Sequence, residues 1–289
     1  MKEEAGRRKL QVSNGYLLDF DQISRVLNTV AQMGKRGRIP RSEIMSETGL
    51  PDRSVEALVS MAAAMGVLRP ATQTLTPYGA LIAEHDMFFE RQGTLEWCHY
   101  RGAGSVRNLV WFDVFNRLLP EEEPMTHSDW NGWFRTELAG QYSDRTLRKV
   151  VQEEVRFVIN AYMEQKLKTL GILEPAEGDA IGARPYRQID HLVFAAMLYD
   201  FMTSRGATTF EIEELCRTPG SPTVVFLVNP ASVRDLAESL HTEGLIRYER
   251  MHNLDQIRLI PGYAPLEFLR AYYEERRPSA SDTSGVTDG

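Results

Sequence analysis

An aspartate and a histidine stand side by side at Asp190-His191, directly before an apolar run. A carboxylate can ligate a hard divalent cation, and an imidazole beside it can accept a proton near neutral pH. A second cluster, His252, Asn253 and Asp255, lies among Arg247, Arg250 and Arg258. Carboxylate and cations together are what a metal-assisted reaction on a phosphodiester requires. Catalysis is expected of Asp190 and His191, and Mg²⁺ ligation of Asp190 and Asp255. DNA contact is assigned to Arg53, Arg217, Arg247, Arg250, His252, Asn253 and Arg258. The bland alternatives stay open: Asp190 as a helix N-cap followed by a partly packed histidine, and 252–255 as a solvated hairpin loop. Metal-dependent cleavage imposes no fixed sequence spacing, so the 40 acidic residues of the chain are not diagnostic by themselves.

Other chemistries lack their residues. The chain has no phosphate-cradling Gly-Lys-Ser/Thr loop, no Gly-x-Gly-x-x-Gly, no His-Glu-x-x-His and no Gly-x-Ser-x-Gly. Cys98 and Cys216 are far apart without nearby ligand partners, which predicts packing residues rather than a disulfide or zinc site. No long apolar run is present, and Met1-Lys2-Glu3-Glu4 does not open a secretory signal, so a cytoplasmic protein without a membrane partner is expected. The net charge of −7 argues against indiscriminate coating of DNA. Positive charge must then be local, as it is where Lys35, Arg36, Arg38, Arg41 and Arg53 outnumber Glu43, Glu47 and Asp52.

The elements that would carry these side chains recur. Phe20, Ile23, Val26, Leu27, Val30 and Met33 keep helical spacing. Residues 39–59 then read as a short helix ending at Gly49, a tight turn and a longer helix, with Ser42 and Asp52 as N-caps. Val55, Leu58, Val59, Ala62 and Met65 form the buried stripe of the longer helix, leaving Arg53 and Glu56 outward. Residues 66–68 and 74–76 are spaced like the strands of a wing. A helix about 10–12 Å wide fits the major groove of DNA, and arginine can grip guanine through two hydrogen bonds. Residues 1–13 read as a flexible arm whose Arg7-Arg8-Lys9 can touch phosphate.

Residues 94–173 are rich in aromatics, among them Trp97, His99, Tyr100, Trp111, Trp130 and Trp133. Helices are expected at 94–99, 108–119, 129–138 and 146–170. The block reads as a helical bundle whose rings are either a core or a surface for stacking unpaired bases. A linker is expected over 174–184. The initial layout then returns: a helix over 189–203, a short helix over 209–216, and a helix opened by Asn229-Pro230. A hairpin of 244–250 and 256–260 follows, with a polar tip at 251–255, and a terminal helix over 264–276. The predicted fold is mainly α with small β-hairpins: two winged-helix units joined by a helical, aromatic-rich bundle. Its parts are an arm (1–13), an N-terminal winged unit (14–93), a bundle (94–174), a C-terminal winged unit (185–276) and a disordered tail (277–289).

Gly93-Thr94-Leu95 with Trp97 and His99, then Trp111-Phe112 with Phe115-Asn116, resembles a bacterial family first filed as a domain of unknown function. Thr218-Pro219-Gly220, Val225-Phe226-Leu227 and Leu240 to Gly244-Leu245 resemble its second half. The chain departs from the family twice: Thr218-Pro219-Gly220 stands for its Ser-Pro-Gly, and only Asn14-Gly15-Tyr16-Leu17 stands where the family has a Gly-His-Glu-Thr-Phe-like aromatic start. One branch is the SspB-like family of DNA phosphorothioation systems. That resemblance implies a Mg²⁺-dependent DNA-nicking component acting on double-stranded DNA. It also implies a cysteine desulfurase, an ATPase and a PAPS-reductase-like sulfur-transfer protein as partners, with a homodimer left open. No catalytic residue is carried over by it. A winged-helix DNA-binding adaptor or regulator, and a protein-assembly scaffold, are the competing expectations.

Overall fold

Asp19 opens the first helix: its side chain accepts the Gln22 N–H, and α1 (Phe20–Gln32) buries Phe20, Ile23, Val26, Leu27 and Val30. Helix α2 (Arg41–Thr48) ends at Gly49, whose left-handed backbone (φ 66°) turns the chain into α3 (Asp52–Ala64). The chain enters these helices from Pro40 and Pro51, which lack side-chain caps, so Ser42 and Asp52 lie within the helices rather than capping them. The expected wing strands shrink to one antiparallel bridge between Leu68 and Leu75. The computed structural model describes residues 8–34, 36–121, 123–251 and 254–280. It divides the chain into two compact units, Met1–Tyr186 and Arg187–Gly289.

The first unit continues through α4 (Pro77–His85), α5 (Gln92–Ala103) and α6 (Leu109–Asp113), which runs into a π-helical turn over Val114–Leu118. Then come β1 (Met125–Thr126), α7 (His127–Glu137), α8 (Asp144–Thr146), a second π-helical turn (Leu147–Val151) and α9 (Gln152–Met163). The long helix expected over 146–170 is thus broken. At Asn160 one carbonyl takes both the Glu164 and Gln165 N–H groups, and Lys166–Leu170 rewinds as a tighter 3₁₀ segment. The aromatic block is core. Trp97, Trp111 and Trp130 are buried, and Trp133 is half-buried. Gly102 is required there, because a Cβ would sit 2.7 Å from the Trp111 ring.

Two expectations fail in this unit because segments read as irregular find backbone partners, near or far along the chain. The linker over 174–184 is a hairpin: β2 (Leu173–Pro175) and β3 (Ala180–Ala183) pair antiparallel, and β3 also pairs with β1, giving the order β1-β3-β2. The described part of the arm is sewn down. The Lys9 N–H donates to the Arg107 carbonyl (2.6 Å) and the Leu109 N–H to the Lys9 carbonyl (3.1 Å). The Val12 and Ser13 N–H groups and the Ser13 hydroxyl all donate to the buried Glu154 carboxylate. Burial pushes that carboxyl above the usual range even though these donors oppose the shift.

In the second unit Asp190 caps α10 (His191–Ser204), a helix apolar almost all round. Thr209–Glu211, expected as helix, is the strand β4, whose partner β6 is far along the chain; the helix α11 (Ile212–Leu215) starts only after it. A short α12 (Pro222–Val225) precedes α13 (Pro230–Thr242), which Asn229 caps with Pro230 at the first helical position, as the dipeptide predicts. The hairpin of β5 (Ile246–Met251) and β6 (Leu254–Leu259) completes a sheet in the order β4-β6-β5. Helix α14 (Pro265–Glu274) packs on α10, where Phe268 meets Tyr199. The protein is therefore mainly helical with two small three-stranded sheets. Among the described residues no helix is long and apolar enough to cross a membrane.

Candidate nucleic-acid interface

Alternation along the β5–β6 hairpin sorts its side chains onto two faces. Ile246 opposite Leu259 and Tyr248 opposite Ile257 are buried. Arg250 opposite Asp255 extends that face toward the tip. The outer face pairs Arg247 with Arg258, Glu249 with Gln256 and Met251 with Leu254. Arg258 reaches Glu249 (3.2 Å), and the bonds from Gln256 and Arg258 hold the Glu249 carboxyl below its usual range. Arg247 and Arg250 are exposed. His252 and Asn253 lie outside the described residues.

On the inner side Asp255 is a structural knot. It accepts from Arg234 of α13 (2.8 Å) and from the Tyr248 hydroxyl (2.7 Å), while Arg234 also reaches Glu213 of α11 (3.2 Å). Burial alone would raise the Asp255 carboxyl, but Arg234 and Tyr248 outweigh it and hold it low. Burial and the bond to Asp255 push the Tyr248 phenol up to about 12. The only cation on α13 is therefore spent inside the unit. The helix shows Asp235 and Glu238 to solvent, with Glu243 just beyond its end. Such a helix repels phosphate, which leaves the hairpin as the cationic element.

The remaining expected site residues have structural occupations. The Asp190 carboxylate accepts the Leu192 (2.9 Å) and Val193 (3.2 Å) N–H groups, and His191 Nε2 lies 3.2 Å from Glu243. Arg217 is exposed and 3.5 Å from Glu213. Among the described residues no group of three or more His, Cys, Asp or Glu side chains is arranged to hold a metal ion. Asp190 serves a helix end and Asp255 serves an arginine and a tyrosine. The pair does not form the open oxygen set that Mg²⁺ demands.

In the first unit Arg53 is exposed at the start of α3. Its neighbour Arg41 is drawn to Asp52 (3.2 Å) and Glu56 (3.5 Å). Further along α3 the Ser60 hydroxyl donates to the Val12 carbonyl and accepts from Lys9 Nζ, both at 2.6 Å. Arg8 is paired with Asp113 at 2.7 Å. Arg8 and Lys9 thus bind protein, and the chain's own N-terminal segment covers part of α3. Arg7 lies outside the described residues. The hairpin tip, expected to be polar, carries exposed Met251 and Leu254 side by side. Strict alternation from Tyr248 would have placed Met251 outward.

No curated protein matches the chain significantly. Among solved structures it resembles a magnesium ion-bound SspB crystal structure, with a TM-score of 0.70 and 13% sequence identity over 93% of this chain and 89% of that one. At that identity the likeness shows a shared fold. Residues 34–273 match a family model described as a protein of unknown function, DUF4007. That match spans most of both units, and the chain belongs to the DUF4007 family.

Proposed function

We propose that this protein is the SspB-like, DNA-nicking component of a bacterial DNA phosphorothioation system. The single observation that carries this reading is the likeness to magnesium-bound SspB along 93% of the chain. Two features support DNA as the target. The first is the order helix, strand, helices, hairpin in residues 191–259, which we read as a winged helix, with α1–α3 as a second, reduced one. The second is the pair of exposed arginines, Arg247 and Arg250, on the hairpin. The proposed partners are double-stranded DNA, a cysteine desulfurase, an ATPase and a PAPS-reductase-like protein. The proposed cofactor is Mg²⁺, and the chemistry it supplies when bound is activation of water and neutralisation of phosphate charge. No hydrolytic step is assigned to Asp190, His191 or Asp255, whose contacts are structural. Incubation of supercoiled plasmid with the full chain and Mg²⁺ should give open circles, and EDTA should prevent it. Intact supercoils across divalent metals and sequences would refute the nicking role.

The structural employment of Asp190 and Asp255 favours one second reading, a non-catalytic winged-helix adaptor. It requires salt-sensitive duplex binding without strand breakage under the same conditions.

A further inference from the structure

We propose that the tip of the β5–β6 hairpin is an apolar wedge that enters the minor groove of duplex DNA and partly unstacks a base step. The inference rests on the reading of the protein as a DNA binder and specifies how the second unit engages the duplex.

Met251 is 72% exposed and Leu254 47% exposed, among the most exposed large apolar side chains described. Single exposed apolar residues are ordinary on protein surfaces. These two are not scattered: they are direct cross-strand partners, the last pair before the turn, with only two residues between them. Hairpin ends in contact with water alone normally carry polar or charged residues. Apolar side chains at such an end gain only when something covers them.

The surroundings select the occupant. Arg250 precedes Met251 directly, and Arg247 lies further along the strand on the same face as Met251; both are exposed. The neighbouring helix α13 turns Asp235 and Glu238 outward, which disfavours insertion of that helix between phosphates. The major groove admits a helix or a whole two-stranded ribbon, whereas a minor groove about 6 Å wide takes only the narrow end of such a ribbon, which here is the Met251–Leu254 pair. Proteins that read the minor groove combine arginines with apolar wedges that part a base step. The tip has both parts.

The test uses the full chain and a short A·T-rich duplex with aminopurine at a central step, in low salt without divalent metal. Binding should raise aminopurine fluorescence as the step unstacks. Met251→Ser with Leu254→Ser should weaken binding at least about tenfold, the least expected when two apolar side chains lose burial, and abolish the rise. Met251→Leu with Leu254→Met should retain both. Phe88→Ser removes an equally exposed ring (61%) in the other unit and should change neither. Binding without a rise, or serine variants that behave as the parent, would overturn the wedge and leave DNA binding intact. Serine variants that lose self-association but keep duplex affinity would assign the tip to protein contact and overturn it as well. Failure of the parent to bind any duplex would instead remove the DNA-binding reading beneath it.

Discussion

The regions of α1–α3 and of α10–α13 solve one packing problem in opposite ways. In the first, α3 is partly covered by the chain's own N-terminal segment, through Ser60, Val12 and Lys9, and the strands that follow it are reduced to one bridge between Leu68 and Leu75. In the second, α13 is open along its outer side but acidic, and it is followed by a full hairpin in a three-stranded sheet. Similar local spacing therefore produced one region built into a larger core and one that offers its hairpin. The carboxylates that secure them differ in the same sense. Glu154 is buried and bound by neutral donors, while Asp255 is bound by an arginine.

The largest effect should come from Glu154→Ala, which strands two backbone N–H groups and a hydroxyl. A loss of about 3–5 kcal/mol of unfolding free energy is expected from several buried donors left unpaired. All four tryptophans lie in the first unit, so chemical denaturation followed by tryptophan emission reads this unit alone. Early proteolysis within residues 8–15 should accompany the loss. Stability of the variant within 1 kcal/mol of the parent, on the order of an ordinary surface substitution, would show that the segment is not held through Glu154.

The next effect separates the two regions at DNA. Removal of Arg247 and Arg250 should lower the dependence of duplex affinity on salt by about one per lost phosphate contact. Arg258, held by Glu249, should contribute less. Arg53→Ala should have the smallest influence, because its region also presents Glu56. A larger loss from Arg53 than from the hairpin pair would reverse the comparison.

Asp255→Asn should cost the second unit about 1–2 kcal/mol, the usual scale for hydrogen bonds to a charged group that is not fully buried. Hydrogen exchange of the β5 and β6 amides would report it. The two carboxylates also titrate with opposite signs. Asp255 is held low, so its stabilisation is present above the ordinary carboxylate range and is lost as pH falls through its lowered value. Glu154 is raised, so its contribution is complete below that range and is lost as pH rises through its raised value. Opposite slopes in the two units across the acid range would confirm the assignment, and parallel slopes would break it. Smallest of all, Ser60→Ala should cost about 1 kcal/mol, one hydrogen bond at a partly buried site.

What could be read from the sequence was local. The α1 stripe, the turn at Gly49, the start of α13 at Asn229-Pro230 and the β5–β6 hairpin all follow from short-range spacing and capping chemistry. Strand β4 is three residues long and owes its state to Arg258, Ile257 and Gln256, nearly 50 residues away by count along the sequence. The docking of residues 8–13 and the pairing of β3 with β1 depend equally on remote partners, whereas the β2–β3 pairing over 173–183 is local but hidden behind its Pro and Gly residues. The candidate site divides the same way. The arginines of the hairpin were legible from strand alternation. The alternative of Asp190 as a helix N-cap was legible too, and its local Leu192 and Val193 donors fulfil it; the commitment of Asp255 to Arg234 was not, because propensity does not say which oxygen a distant donor will claim.

The stitching of residues 8–13 to Leu109 and Glu154 also bears on biosynthesis. A ribosome releases that segment long before it has made the helices that receive it. The first unit therefore cannot close until α9 has emerged, and until then Val12 and Ser13 lack the carboxylate that holds them and face chaperones and proteases.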